Sequence, residues 1–166
     1  MVVHLGVVVV ALGILGSSAF RIDEQIRIDF GATVAFEGYD LTAADSFMER
    51  TPGRISAGAI IEVARDGRPV TTLRPRINQF AGQGMNVPTP AVHYTLWHDL
   101  YLNIASTVGP ESSFVVLRVV KSPLVTWIWI GGVIMALGTL YALTPDRRRV
   151  AATRREGVGA RGRADA

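Results

Sequence analysis

Apolar positions along this chain fall into two unbroken runs, separated by a stretch in which apolar and polar residues alternate. From Met1 to Phe20 the single Asp, Glu, Lys, Arg or His is His4, and from Leu124 to Leu143 there is none. Each run is about 20 residues, which at about 1.5 Å of rise per residue reaches across the roughly 30 Å of bilayer hydrocarbon. The pattern therefore predicts transmembrane helices over 1–20 and 123–144. Gly16-Ser17-Ser18-Ala19 resembles a signal-peptidase site, but no Lys or Arg precedes the first run and the run is long for a signal sequence, so it reads as a retained helix.

Between the runs, residues 21–122 read as one β-rich domain. Ile26, Ile28 and Phe30 alternate with polar neighbours, and the apolar segments 59–65 and 69–73 bracket Asp66-Gly67, a dipeptide suited to the left-handed conformations of a two-residue hairpin turn. Residues 33–39 and 113–120, rich in Val, Phe and Tyr, are further strand candidates. Residues 80–85 and Val87-Pro88-Thr89-Pro90 read as loop. Over 93–105 the spacing of Val92, Leu96, Leu100 and Ile104 suggests a short helix, although Tyr, Trp and Val there also suit a strand. The expected architecture is a membrane protein with two transmembrane α-helices flanking a mainly β domain, a small antiparallel sandwich or barrel.

Charge then fixes the orientation. The net charge of +3 is concentrated beyond the second run, where Arg147, Arg148, Arg149, Arg154, Arg155, Arg161 and Arg163 are opposed only by Asp146, Glu156 and Asp165. Arginines abutting a membrane helix mark its cytoplasmic end, so both termini are expected in the cytoplasm and the β domain outside; the resemblance described below implies the periplasm of a bacterial inner membrane. No basic face with groove-reading residues exists, so nucleic acid is not an expected partner. Residues 145–166, rich in Gly and Arg, cannot bury enough surface to order and read as a disordered tail. The chain has no cysteine, which excludes disulfides, thiol redox chemistry and the C-x-x-C-H attachment signature.

The candidate chemistry centres on His4, because an ionisable side chain within a membrane span is costly unless it faces protein or binds something. At about 100° per residue, Ala11, Leu15 and Ser18 share its face, and Gly6, Gly13 and Ser17 lie opposite. The small residues suit close approach of another helix. The histidine either hydrogen-bonds near the cytoplasmic interface or serves as an axial ligand of haem iron, a common role of neutral imidazole. His93 and His98 belong to the outer domain, far from His4, and no carboxylate or third histidine completes a metal set around them, so they read as structural. Trp127 and Trp129 sit where aromatic residues anchor a helix at the headgroups.

Several of these stretches resemble the CcmF/NrfE family, the haem lyase subunit of system I cytochrome c maturation. Pro123 to Gly138 (PLVTWIWIGGVIMALG) looks like that family's last helix, and His4-Leu5-Gly6-Val7 through Gly16-Ser17-Ser18 looks like the helix before its large periplasmic loop. Gly82-Gln83-Gly84-Met85, Thr95 and Asp99-Leu100-Tyr101 resemble motifs within that loop. The resemblance runs from His4 to about Leu143 and covers only the end of the family, whose tryptophan-rich WWD segment and other haem-binding histidines have no counterpart here. A split gene or a shortened reading of a longer one would produce such a chain, and Met1 lying three residues before His4 favours the latter slightly. Thr139 stands where a second glycine is expected, but Gly132 and Ala136 still offer a small-residue face.

The resemblance implies that His4 is one axial ligand of a transmembrane b-type haem whose other ligand lies outside this chain. It further implies that the β domain supports haem attachment to apocytochrome c. Implied partners are the remaining N-terminal part of a CcmF-like subunit, a haem chaperone, apocytochrome c with its thiol-handling subunits, and membrane lipid. No residue is placed as a general acid or base for thioether formation, and the chain alone is not expected to be active. The competing expectation is a non-enzymatic, membrane-anchored periplasmic β domain that docks a protein partner.

Overall fold

The computed structural model describes residues 1–81, 85–106, 109 and 112–143. Helix α1 (Val2–Ala19) leads into ten strands: β1 (Ile22–Asp29), β2 (Thr33–Phe36), β3 (Tyr39–Thr51), β4 (Arg54–Arg65), β5 (Arg68–Leu73), β6 (Arg76–Phe80), β7 (Asn86–Thr89), β8 (Ala91–Tyr94), β9 (His98–Ile104) and β10 (Phe114–Pro123). Helix α2 (Val125–Leu143) follows directly. The expected class holds: two helices, each long and apolar enough to cross a membrane, flank a mainly β domain. The tail over 145–166 and Gly82 to Gly84 lie outside the described residues.

The strands form two antiparallel sheets, one ordered β1-β10-β9-β8 and one ordered β2-β3-β4-β6-β7, with β5 also paired to β4. Period-two alternation decides which side chains meet between them. Ile26 and Ile28 of β1 face Leu117 and Val115 of β10, and Leu100, Leu102 and Ile104 of β9 join them on the inner face. The other sheet contributes Phe36, Leu41, Ala59, Ile61 and Val63. The result is a sandwich core of buried aliphatic side chains.

Local chemistry sets the turns. Asp66 and Gly67 have φ of 51° and 71° and join Arg65 to its partner Arg68, so the expected β4–β5 hairpin forms. Glu37 and Gly38, at φ 48° and 82°, make a second turn of the same kind between Phe36 and Tyr39. It divides the segment 33–39, read from sequence as one strand, into the end of one strand and the start of the next.

Two other expectations are corrected. Residues 93–105 form no helix; they are β8, a turn at Thr95 to Trp97, and β9, with Leu102 paired to Val119 and Leu100 to Lys121. Of the spaced apolar positions, Val92 falls on β8, Leu96 in the exposed turn and only Leu100 and Ile104 on β9, and burial of Leu100, Leu102 and Ile104 against β10 outweighs any helical preference. Val87-Pro88-Thr89 is the edge strand β7 rather than loop. Proline is compatible with that position, since an edge strand needs no donor on its open side.

At the far end of β10, Pro123 closes the strand and Leu124 adopts φ 59°, turning the chain into α2. The helices pack antiparallel through glycines. Gly6 meets Met135 and Gly131, Gly13 meets Ile128 and Leu124, and Gly138 meets Val2 and Val3.

Candidate functional site

The helix pair gives His4 its surroundings. Gly6, Gly13 and Gly16 are buried against α2, and a Cβ on Gly6 would lie 2.5 Å from Met135 Cγ and 2.9 Å from the Gly131 carbonyl oxygen. The backbones therefore approach as only glycine allows. Gly6 and Gly13 are the small residues that the helical period placed opposite His4. Ser17, grouped with them, donates to its own helix at the Ile14 carbonyl, 3.1 Å away.

On α2 the expectation of a packing face at Gly132 and Ala136 is corrected: both are exposed, and Gly131 and Gly138 make the contact instead. An all-apolar helix carries no polar stripe to mark its inner face, so the sequence offered adjacent glycines and no means of choosing between them.

His4 is exposed on the side of α1 away from α2, with exposed Val8, Ala11 and Leu15 along the same face. An exposed imidazole beside aliphatic side chains is a donor set that would suit one side of a haem, were one bound there. The described residues supply no second ligand at that level. His93 and His98 lie on β8 and β9, beyond the other end of α1, roughly 20 Å away by helical rise. No cluster of three or more potential metal-ligating side chains occurs among the described residues.

Where the sandwich meets the helices, the structure assembles a polar group that the sequence did not reveal. Tyr39 Oη and His98 Nε2 are 2.7 Å apart although 59 residues separate them in sequence. Burial, aided by the nearby charge of Lys121, lowers the His98 pKa from its usual 6.5. Beside it, Asp99 is 1% exposed, and its Oδ1 has no hydrogen-bond partner among the described residues. Burial raises its pKa, with hydrogen bonds from the Thr95 backbone and the Tyr101 side chain offsetting only part of that effect. Burial, and then the Asp99 charge, raise the Tyr101 pKa in turn. On the outer surface Arg118 grips Asp23 at 2.8 and 2.7 Å, and this hydrogen-bonded pairing lowers the Asp23 pKa.

Trp127 lies in the first turn of α2 and has a structural partner there. Its Nε1 donates to the Leu96 carbonyl at 3.1 Å, and its ring lies 5.6 Å from that of Trp97. Trp129 projects outward, 75% exposed.

This arrangement defines a class of protein, a β-sandwich mounted on a glycine-packed hairpin of two membrane-length helices. Residues 19–123 match the family model described as the CcmF C-terminal beta-sandwich. The chain belongs to the CcmF/NrfE family and corresponds to its C-terminal portion. It is 32% identical over 147 residues to the cytochrome c-type biogenesis protein CcmF of Pseudomonas aeruginosa, covering 89% of this chain and 22% of that one. With the cytochrome c-type biogenesis protein NrfE of Haemophilus influenzae the identity is 25% over 147 residues, covering 88% of this chain and 23% of the relative. The solved structure of a cytochrome c heme lyase CcmF superimposes with a TM-score of 0.68 at 25% identity, over 87% of this chain and 24% of that one. The chain thus spans about a quarter of the length of the relatives it matches.

Proposed function

We propose that this chain acts in cytochrome c maturation as the C-terminal part of a haem lyase subunit in a bacterial inner membrane. His4 is one axial ligand of a b-type haem between the helices of the full assembly, and the sandwich, on the periplasmic side, supports haem attachment to apocytochrome c. Bound there, the haem would supply an electron-transfer centre that keeps incoming haem reduced. The contribution of this chain is to hold an imidazole nitrogen on a helix face free of its own partner helix. That free face is the observation that carries the reading: α2 occupies the glycine side of α1 and leaves His4, Val8, Ala11 and Leu15 open. The second ligand comes from the N-terminal part of the subunit. A haem chaperone, apocytochrome c and its thiol-handling subunits are the further partners this role requires.

The test is to purify the chain together with the remaining membrane part of the subunit and record the reduced absorption spectrum. Bands of a b-type haem are expected, and they should be lost or shifted in His4→Ala and altered in His4→Met. Bands unchanged by both substitutions would sink the assignment of His4. A complex without b-type bands would sink the haem reading altogether, leaving a β domain that docks a protein partner.

A further inference from the structure

The turn between β8 and β9, Thr95 to Trp97, is tied to the start of α2 through each of its three carbonyls. Leu124 N–H donates to the Trp97 carbonyl at 2.8 Å. Thr126 Oγ1 donates to the Thr95 carbonyl at 3.0 Å, and Trp127 Nε1 to the Leu96 carbonyl at 3.1 Å. The turn also closes on itself, with the His98 N–H bonded to Thr95 Oγ1 at 3.0 Å. It cannot lift away from the start of the helix without breaking these bonds together. Yet, Thr95 apart, the side chains on this fixed turn are apolar and exposed: Leu96 is 51% and Trp97 61% exposed, with Tyr94 beside them at 68%.

We infer that the Tyr94 to Trp97 turn is a membrane foot, inserted at the boundary between lipid headgroups and acyl chains. The inference rests on the reading that α2 spans the bilayer. If it does, its first turn stands at the interface, and a turn bonded to that first turn stands there too. The side chains suit this depth. Trp and Tyr favour the headgroup level, where the ring body is shielded and its polar edge is wet. No acid or base lies between Tyr94 and Trp97. Phe20, exposed at the end of α1, and Trp129, about 3 Å further along α2 than Trp127 by helical rise, extend the same belt. The foot would hold the sandwich at a fixed height and tilt over the membrane, which a pair of helices joined by flexible linkers would not do.

The experiment is tryptophan quenching of the full chain in phosphatidylcholine nanodiscs carrying bromine either high or low on the acyl chain. Subtracting the emission of Trp97→Phe from that of the unmodified chain isolates Trp97 while leaving the Trp127 bond intact. The expected Trp97 signal is blue-shifted, quenched more by the shallow bromine than by the deep one, and weakly accessible to aqueous iodide. A red-shifted signal quenched by iodide and not by bromolipid would place the turn in water and overturn the foot. Leu137→Trp, in a background with the three native tryptophans changed to Phe, is the control for the spanning reading, because Leu137 is exposed along the middle of α2. It should respond most to the deep bromine. If it fails to do so, the span itself is wrong; if it does and Trp97 does not, only the foot is. Repeating the measurement with the rest of the subunit present covers the remaining occupant: loss of Trp97 quenching there would show that protein, not lipid, covers the turn, and would overturn the inference.

Discussion

Tyr39 Oη and His98 Nε2 stand 2.7 Å apart and join the two sheets at the end of the sandwich nearest the helices. Tyr39 begins β3 and His98 begins β9, so one hydrogen bond spans the layer boundary beside the turn that meets α2. Removing it with Tyr39→Phe should cost about 0.5–1.5 kcal/mol, the usual net value of such a bond, in urea denaturation of the detergent-solubilised chain. An unchanged midpoint would mean that the pair contributes nothing there.

The same histidine gives the chain a pH dependence. Because the folded state lowers its pKa from 6.5, the unfolded chain binds the proton more readily. Stability from this group is complete above pH 6.5 and is lost as the pH falls from there through the depressed folded value. His98→Gln keeps a partner for Tyr39 and removes the titration. Its denaturation midpoint should fall less than that of the unmodified chain between neutral pH and the acid side of that window.

Asp99 acts with the opposite sign. Its folded pKa is raised from 3.8 by burial, so the folded state holds the proton more tightly. Stability is greatest below pH 3.8 and declines as the pH rises through the folded value. Where the two windows overlap they partly cancel. Asp99→Asn should therefore steepen the acid-side loss due to His98, whereas His98→Gln should uncover a gain on acidification. Midpoints measured across the range decide this, and parallel profiles for both variants would contradict the assigned directions.

The glycine contacts separate two adjacent positions on α2. A Cβ on Gly131 would meet Val10 Cγ2 at 2.7 Å and the Gly6 carbonyl oxygen at 2.8 Å, whereas one on Gly132 would meet nothing within 4 Å. Gly131→Ala should loosen the helix pair by about 1–3 kcal/mol, the usual cost of overpacking a close contact. Gly132→Ala should be tolerated. Thermal unfolding in micelles, followed by circular dichroism, will rank them, and equal effects would place the interface elsewhere.

How much of this was legible depended on how local the determinant was. The two apolar helices, the Asp66-Gly67 hairpin and the opposition of His4 to Gly6 and Gly13 follow from adjacent residues or a single helical period, and are legible in the sequence. Glu37-Gly38 obeys the same turn geometry, but glutamate is an unusual first residue for it, so nothing local marks the turn within the segment 33–39. Over 93–105 the four-residue spacing runs across two strands and a turn, with Val92 on β8, Leu96 between the strands and Leu100 and Ile104 on β9, and only pairing with β10 distinguishes this from a helix. The Tyr39–His98 bond and the Leu96–Trp127 bond join residues far apart in sequence, and no local pattern encodes either. The free face of His4 was legible too, because it follows from the same helical period.

Orientation can be tested with the chemistry the chain lacks. It contains no cysteine, so a single introduced thiol reports the compartment it occupies. Arg68 is exposed beside the β4–β5 turn, and Ala152 follows the arginine cluster that should hold the C-terminal end in the cytoplasm. Since α1 and α2 run antiparallel and both join the sandwich at the same end, the two termini must share a side if the helices span the bilayer. In intact cells with a permeable outer membrane, Arg68→Cys should react with a charged maleimide that cannot cross the inner membrane, and Ala152→Cys should react only after lysis. Adding a cysteine at Val2 extends the test: it should behave like Ala152→Cys. Labelling of Val2→Cys together with Arg68→Cys would mean that α1 does not cross, and labelling of Ala152→Cys alone would invert the arrangement on which the placement of the sandwich in the periplasm depends.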